Sequence, residues 1–279
     1  MRLEAGRPSW PRAALQPEHH ARLRHPDEDP RITGILALVT EAIGAELAVA
    51  SRRLRLRDDP SPTWQPVRDL YRGVAVLIGI APPPLFICPE LDAEVVFANL
   101  KAGGGTASRT EAIGVRMAGA NRAEAVHTLA RVLSHARPAF FLRLLLSEPG
   151  ALDAALDAAL MVGGYRGQLA PSPSAHRFAA VIERALPASF RDQLAALVEG
   201  IDEPRHALSV ERWGQAVDAT CRLTALLITG DLATAISALQ REPAHAARRP
   251  HADRLADLLV HSCSDEHASL RAAIGLAIT

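Results

Sequence analysis

One segment of the sequence combines a helix-start signal with an apolar stripe, and it constrains the fold most strongly. Asn121 is followed three residues later by Glu124, the spacing of a capping box that supplies partners for free backbone N–H groups. Pro138, which cannot continue a helix interior, closes the segment. The pattern predicts an amphipathic helix over residues 122–136. Its stripe recurs at helical spacing at Ala125, Thr128, Leu129, Val132 and Leu133.

The composition is that of a globular chain with a substantial core and no charge bias. Hydrophobic residues make up 48% of the 279 residues, enough to fill one large domain or two small ones. The 31 Lys and Arg residues balance the 31 Asp and Glu residues, so the formal net charge is zero. A neutral chain offers no electrostatic footprint for nucleic acid or for an anionic membrane surface, and neither partner is predicted.

Three features bear on the location of the protein. Residues 1–30 contain no apolar h-region, so no signal peptide is expected there. No run reaches the roughly 18–20 apolar residues of a membrane span, because Thr40, Glu41 and Glu46 interrupt the apolar stretch 35–50. The three cysteines, Cys88, Cys221 and Cys263, are odd in number and far apart in sequence, which does not suit a disulfide framework. A reduced cytoplasmic location is therefore expected.

The first third of the chain is predicted to contain an arm, two helices and a small sheet. Residues 1–28 are polar and rich in proline, which is typical of segments that bury too little apolar area to become ordered, so an N-terminal arm that is loose or lies over the surface is expected. Asp29-Pro30 then starts a helix that should run to about residue 53. A second helix is expected over 64–78. Three strands and a glycine-rich turn at 101–106 follow, with the strands at 85–88, 93–98 and 111–117.

Beyond the capped helix, the chain is expected to be entirely helical. No internal repeat of roughly thirty to fifty residues is present, so the chain is not itself a repeat array. Periodicity, caps and glycine punctuation predict helices at 139–147, 150–162, 174–185, 187–199, 208–228, 231–240, 250–262 and 264–277.

Four local patterns occur in a fixed order within residues 65–138. They are the strand-like stretch Leu85–Phe97, the strand Ile113-Gly114-Val115, the helix start Glu124-Ala125-Val126, and the segment Arg131–His135. This order resembles the HtpX-like zincin metallopeptidases. The resemblance implies a zincin-like core, built from a small sheet and an active-site-type helix.

The resemblance also implies that the catalytic motif is degenerate. Active members carry H-E-x-x-H, in which two His side chains ligate zinc and the Glu acts as general base. In this chain Arg131 stands at the first His position, Val132 stands at the Glu position, and His135 is retained. A carboxylate ligand from a later helix corresponds to Asp218, and Arg222 stands where the family tends to have a second acid.

The implied site has too few ligands for catalytic zinc. Such a zinc needs three protein ligands and an open position, whereas His135 and Asp218 supply two. Arg131 has no lone pair to offer, and we expect it to pair with Asp218, because a buried carboxylate needs a partner. No catalytic residue, no metal and no cofactor is therefore predicted.

Other residues offer weaker chemistry. His127 would lie about 12 Å along the helix from His135, too far to share a metal, and it is expected to be partly exposed. Cys221 falls on an apolar stripe and is expected in the core. A metal-like spacing also occurs across a predicted helix boundary, at His261, Cys263 and His267.

The C-terminal half carries a second resemblance. The stretches Arg212–Leu232 and Ser262–Gly275 are similar to zincin-related domains attached to large bacterial tetratricopeptide-repeat proteins. We therefore expect an α+β, mostly α chain with a zincin-like core and a C-terminal helical bundle. Residues 29–279 would form a single domain, with its core at 29–138 and its helical half at 139–279.

The expected function is that of a catalytically inactive, metallopeptidase-like protein. Such a pseudoenzyme would act as a scaffold or as a subunit that binds a protein or a peptide segment, and it could do so as an oligomer or within a larger assembly. Two alternatives stay open. One is a metal-dependent hydrolase with a non-standard site at His135 and Asp218, and the other is a purely structural oligomerisation module.

Overall fold

The computed structural model describes residues 13–49, 58–91, 94–101, 107–113, 117, 120–242 and 249–276, with 107–113 as backbone. Over these residues the chain is mostly helical with one small sheet, as expected for an α+β, mostly α chain. The strands are β1 (Leu85–Ile87), β2 (Val95–Lys101) and β3 (Ala107–Ile113). The helices are α1 (Pro17–Leu23), α2 (Pro30–Leu47), α3 (Gln65–Ile78), α4 (Arg122–His135), α5 (Pro138–Leu145), α6 (Ala151–Val162), α7 (Pro173–Ala185), α8 (Ala188–Glu199), α9 (Val210–Thr229), α10 (Leu232–Arg241), α11 (His251–Ser262) and α12 (Asp265–Ala273).

Local capping residues set the helix starts. At α4 the Asn121 side chain accepts a hydrogen bond from the backbone N–H of Glu124, and the Glu124 carboxylate accepts one from the backbone N–H of Asn121, each at 3.0 Å. At α2 the Asp29 side chain accepts from the backbone N–H of Arg31, and Pro30 occupies the first turn. Because these partners are neighbours in sequence, the predicted starts agree with the structure.

The sheet has the strand order β1-β3-β2, with β1 parallel and β2 antiparallel to the central strand. The antiparallel pairing runs from Val95 opposite Ile113 to Lys101 opposite Ala107. The three predicted strands are confirmed, but the second and third lie closer to the glycine-rich segment, because cross-strand pairing sets their register. They span 95–101 and 107–113 instead of 93–98 and 111–117. Of the predicted turn at 101–106, Lys101 is the last residue of β2, and residues 102–106 fall outside the described residues.

Helix α2 ends at Leu47, earlier than the predicted end near residue 53. Two residues later the chain joins the outer edge of β2. The N–H of Val49 donates to the carbonyl of Asn99, and the carbonyl of Val49 accepts from the N–H of Lys101, each at 2.9 Å. This pairing requires extended backbone at Val49 and so ends the helix before it. Residues 50–57 lie outside the described residues.

Helix α9 is the centre of the molecule. Helices α2 and α5–α8 form one hydrophobic cluster around its residues Val217 and Cys221. The sheet, α3 and α4 form a second cluster that includes Ala225 and Ile228, and α10–α12 form a third that includes Leu226. Of the 20 residues of α9, 15 are buried, as expected for a helix that is enclosed on all sides.

The packing crosses the expected boundary at residue 138. Helix α2, expected in the core part, shares the first cluster with α5–α8 of the helical half.

In the described part of the chain, no helix combines the length and hydropathy that a membrane crossing requires.

Residues 13–28 pack against the body, so the prediction of a loose arm is wrong for this segment. Leu15 and Leu23 are 3% and 1% exposed and belong to the third cluster. The N–H of Leu15 donates to the carbonyl of Leu77 at 2.7 Å, and Nε2 of His20 lies 2.8 Å from the carbonyl of Ile78. The average polarity of a segment does not reveal such contacts, because two buried leucines are enough to dock a short helix. Residues 1–12 lie outside the described residues.

Candidate functional site between helices α4 and α9

Two facing helices carry the four residues that the sequence analysis predicts for a degenerate site. Helix α4 supplies Arg131, Val132 and His135, and α9 supplies Asp218. The structure brings His135 and Asp218 together, with Nε2 of the imidazole 3.1 Å from Oδ1 of the carboxylate. His135 is buried, whereas Arg131 and Val132 are half-buried. The apolar Val132 offers no general base at its position.

Both ring nitrogens of His135 face hydrogen-bond acceptors. Nε2 faces the Asp218 carboxylate, and Nδ1 lies 3.0 Å from the backbone carbonyl of Arg131. A carbonyl and a carboxylate only accept, so both nitrogens donate and the ring carries two protons. Burial lowers the pKa of His135, but the Cys221 sulfur and the Asp218 carboxylate outweigh burial and raise the pKa to about 10. His135 is therefore a cation at neutral pH.

Asp218 is held from two sides. Its Oδ2 accepts a hydrogen bond from Nη2 of Arg143 on α5 at 2.8 Å, while Oδ1 accepts from His135. Burial raises the pKa of the Asp218 carboxyl, but the hydrogen bond and charge of His135, with the charges of Arg143 and Arg222, more than offset burial and lower it. The result is a largely buried ion pair of Asp218 and His135, extended by Arg143.

Arg131 contacts a different carboxylate, so the predicted pair between Arg131 and Asp218 is wrong. Nη1 of Arg131 donates to Oε1 of Glu242, the residue after α10, at 3.2 Å. Asp218 already has a guanidinium partner in Arg143. Arg131 lies one helical turn before His135, and its side chain extends toward the end of α10.

The residues at this position do not fit a catalytic zinc ion. Among the described residues, no group of three or more His, Cys, Asp or Glu side chains could hold a metal ion. A His ligand must be neutral and offer a lone pair to the metal. Nε2 of His135 instead donates a hydrogen bond to the Asp218 carboxylate. The guanidinium of Arg143 on the same carboxylate would repel a dication. The rings of His261 and His267 lie edge to face, 4.9 Å apart, and likewise form no such group with Cys263.

Two residues of this network, Arg143 and Glu242, were not predictable from sequence patterns. Arg143 lies 75 positions from its partner Asp218, and Glu242 lies 111 positions from its partner Arg131. No spacing rule connects residues so far apart. Cys221, in contrast, is fully buried, as its apolar stripe predicted, and it lies near enough to His135 to raise the pKa of the ring.

His127 is buried, which corrects the expectation of a partly exposed residue. It is 2% exposed, and neither ring nitrogen has a hydrogen-bond partner within the described part of the chain. Burial, assisted by the charge of Arg131, lowers the pKa of His127 to about 4, so the ring is neutral at pH 7. His127 lies one turn before Arg131 on the same face of α4.

Two surface cavities differ in their relation to this site. A cavity of about 80 Å³ borders Arg143 and Gly214, and it has room for only a few water molecules. A larger cavity of about 740 Å³ lies away from His135 and is lined in part by Tyr165, Glu199 and Arg205. The larger cavity contains none of the four motif residues.

Comparison of the chain with family models, with curated proteins and with solved structures gave no match. The resemblance to zincin metallopeptidases therefore stays a prediction based on the residue patterns of the sequence. The contacts of the site define it: a buried imidazolium and a guanidinium share one carboxylate.

Proposed function

We propose that this chain is a non-catalytic scaffold or interaction subunit that binds a peptide segment of a partner protein. The observation that carries the proposal is the direct contact between His135 and Asp218. These residues correspond to the two retained ligands of the zincin resemblance, and their polar atoms are committed to each other, to Arg143 and to a backbone carbonyl. The odd number of dispersed cysteines supports a reducing, cytoplasmic setting.

The ion pair supports a structural role for the former active-site helix. A buried carboxylate or imidazolium without its partner is costly, so the pair favours the observed packing of α4 against α9. Arg143 adds α5 to the same network. In this proposal the network keeps the frame of the fold closed, and binding takes place elsewhere on it.

The outer edge of β2 supports the peptide-binding part of the proposal. The backbone carbonyl of Asn99 and the backbone N–H of Lys101 point away from β3 and form hydrogen bonds with Val49. Val95 and Phe97 present backbone groups on the same side, and no described residue pairs with them there. A peptide can add to such an edge as an extra strand through main-chain hydrogen bonds, which require no metal. The zincin resemblance implies the same binding mode.

Peptide selection tests this proposal. Peptides enriched from a random phage-displayed library are titrated by fluorescence polarisation against the wild-type chain and two variants. Val95→Pro removes an outward-facing N–H at the first residue of an edge strand, where proline is tolerated, and should weaken binding by about five- to tenfold. Val96→Thr is the control, because Val96 is 39% exposed and the change leaves the outward backbone groups intact. Its affinity should stay within about twofold of wild type.

Four outcomes would contradict the proposal. Failure to enrich any peptide, or equal affinities for the Val95→Pro variant and wild type, would remove the edge of β2 as the binding site. Zinc-dependent cleavage of the peptides that His135→Ala abolishes would favour the hydrolase alternative. A stable oligomer in mass photometry without peptide binding would favour the oligomerisation module, for which Val260, 73% exposed on α11, offers apolar surface.

A further inference from the structure

Three guanidinium groups converge on the single carboxylate of Glu242. Arg131 donates to Oε1 at 3.2 Å, and Arg254 donates to Oε2 at 2.7 Å. Arg222 donates to both oxygens, from Nε at 3.2 Å and from Nη2 at 3.0 Å. These four residues, here called the Glu242 cluster, come from α4, α9, α11 and the end of α10.

The Glu242 cluster carries an uncompensated positive charge. Three guanidinium groups against one carboxylate leave a surplus of two charges, and Arg222 and Arg254 are only 8% and 5% exposed. Buried charges need a counter-charge. The sequence of residues 243–248 contains no Asp or Glu that could provide one. The nearby carboxylates are engaged elsewhere: Glu124 with Arg241, Asp218 with His135 and Arg143, and Asp231 with Thr234.

Unused hydrogen-bond donors accompany this surplus charge. Nε of Arg254 is buried and has no partner in the described part of the chain, and the same holds for both ring nitrogens of His127. His127 lies on the same face of α4 as Arg131, whose Nη1 alone is used by a described residue. Buried polar groups are normally satisfied, so the unpartnered N–H donors of Arg254 and of the neutral His127 ring point to a missing acceptor.

Access to the Glu242 cluster is through Arg131. Its side chain is 33% exposed, whereas the Glu242 side chain beneath it is 10% exposed. An anion that arrives from solvent would therefore meet Arg131 first. The cluster would then surround that anion with forked cationic donors and with a neutral imidazole.

We propose that the Glu242 cluster and His127 bind a phosphate dianion, either inorganic phosphate or the terminal phosphate of a monoester. Such a group carries about −1.5 to −2 charges at pH 7, which matches the surplus of two, and it offers several acceptor oxygens. Guanidinium groups suit it because two N–H donors of the fork can bind two phosphate oxygens. This site is separate from the edge of β2, and its existence does not depend on peptide binding.

Isothermal titration calorimetry of the full chain with sodium phosphate, at constant ionic strength in chloride, tests the proposal. Wild type should bind with a dissociation constant of about 1 mM or tighter. Arg131→Gln should weaken binding by about tenfold or more, because it removes one charged fork. Arg31→Gln is the matched control: its side chain is 37% exposed and pairs with two carboxylates, Asp29 and Glu203, so phosphate affinity should stay within about twofold. Glycerol 3-phosphate replaces phosphate in a second arm, and tighter binding of one probe identifies the source of the group.

A second variant keeps the test independent of Arg131. His127→Phe preserves a buried planar ring and removes the N–H donor of the neutral imidazole, which has no described partner, so the chain should fold and bind phosphate several-fold more weakly. No saturable heat with wild type up to about 20 mM phosphate would overturn the proposal, and so would equal losses in Arg131→Gln and Arg31→Gln. Unchanged affinity in His127→Phe would remove His127 from the site.

Discussion

His135 illustrates how its neighbours define the chemistry of a retained residue. In the zincin resemblance this imidazole would be a neutral ligand, whereas here it donates through both nitrogens and pairs with Asp218. Two protons on the ring leave no lone pair for a metal. The same side chain that would support catalysis in a peptidase thus contributes to the packing of α4 on α9.

The pair has a definite pH signature. The folded pKa of His135 is raised to about 10, above the ordinary value of 6.5, so its contribution to stability is complete below pH 6.5 and is lost as pH rises toward 10. Asp218→Asn removes the partner carboxylate and should cost about 3 kcal/mol near pH 6. The gap in unfolding free energy between wild type and the variant should shrink by pH 9, as measured by urea denaturation at each pH.

The control for that experiment is an exposed carboxylate. Asp69 pairs with Arg72 on the surface of α3, with side chains 61% and 59% exposed, and Asp69→Asn should cost less than about 0.5 kcal/mol at every pH. A pH-independent gap for Asp218→Asn, or a gap no larger than that of Asp69→Asn, would show that the His135–Asp218 contact is energetically unimportant.

Single residues were predictable where the sequence defined one face of a helix. The apolar stripe of α9 correctly predicted the burial of Cys221. His127 was missed because it lies off the apolar stripe of α4, and periodicity does not reveal that α10 covers the other face. The partner of Arg131 was missed because Asp218 and Glu242 are both far from it in sequence, and only the fold chooses between them.

Elements were predictable where their signals are local. The capping box at Asn121 and the Asp-Pro start of α2 gave correct helix starts. The strand bounds and the end of α2 depend instead on pairing between distant segments. Val49, for example, leaves the helix because it meets β2 at Asn99 and Lys101.

The docking of α1 is the main correction at the scale of elements, and it can be measured. Leu23→Ala removes a side chain that is 1% exposed in the third cluster, and it should lower the free energy of unfolding by about 2–4 kcal/mol. Val260→Ala, at a position 73% exposed, is the control and should change it by less than about 0.5 kcal/mol. Similar small effects of both changes in urea denaturation would restore the loose arm.

At the scale of the whole molecule, charge is balanced in total and unevenly distributed in space. The 31 cationic and 31 acidic side chains gave no reason to expect an anionic partner. The fold nevertheless gathers Arg131, Arg222 and Arg254 around one carboxylate. Net charge constrains the long-range field of a protein, whereas local binding depends on which charges the packing brings together.

The central position of α9 is also apparent only in the folded chain. Its sequence predicts a long helix with apolar and polar positions. Asp218 faces the cations His135 and Arg143 of other helices, and the buried Arg222 faces the carboxylate of Glu242 after α10. The helical content and the number of strands followed from the sequence, but the networks that define the site did not.

In the proposed function, the contact between His135 and Asp218 is an ion pair that holds no zinc. The most direct test is the zinc content of untagged protein after dialysis against excess zinc and then against zinc-free buffer, measured by inductively coupled plasma mass spectrometry. We predict far less than one zinc per chain, and the same value for His135→Ala. One tightly held zinc per chain that His135→Ala removes would contradict this prediction.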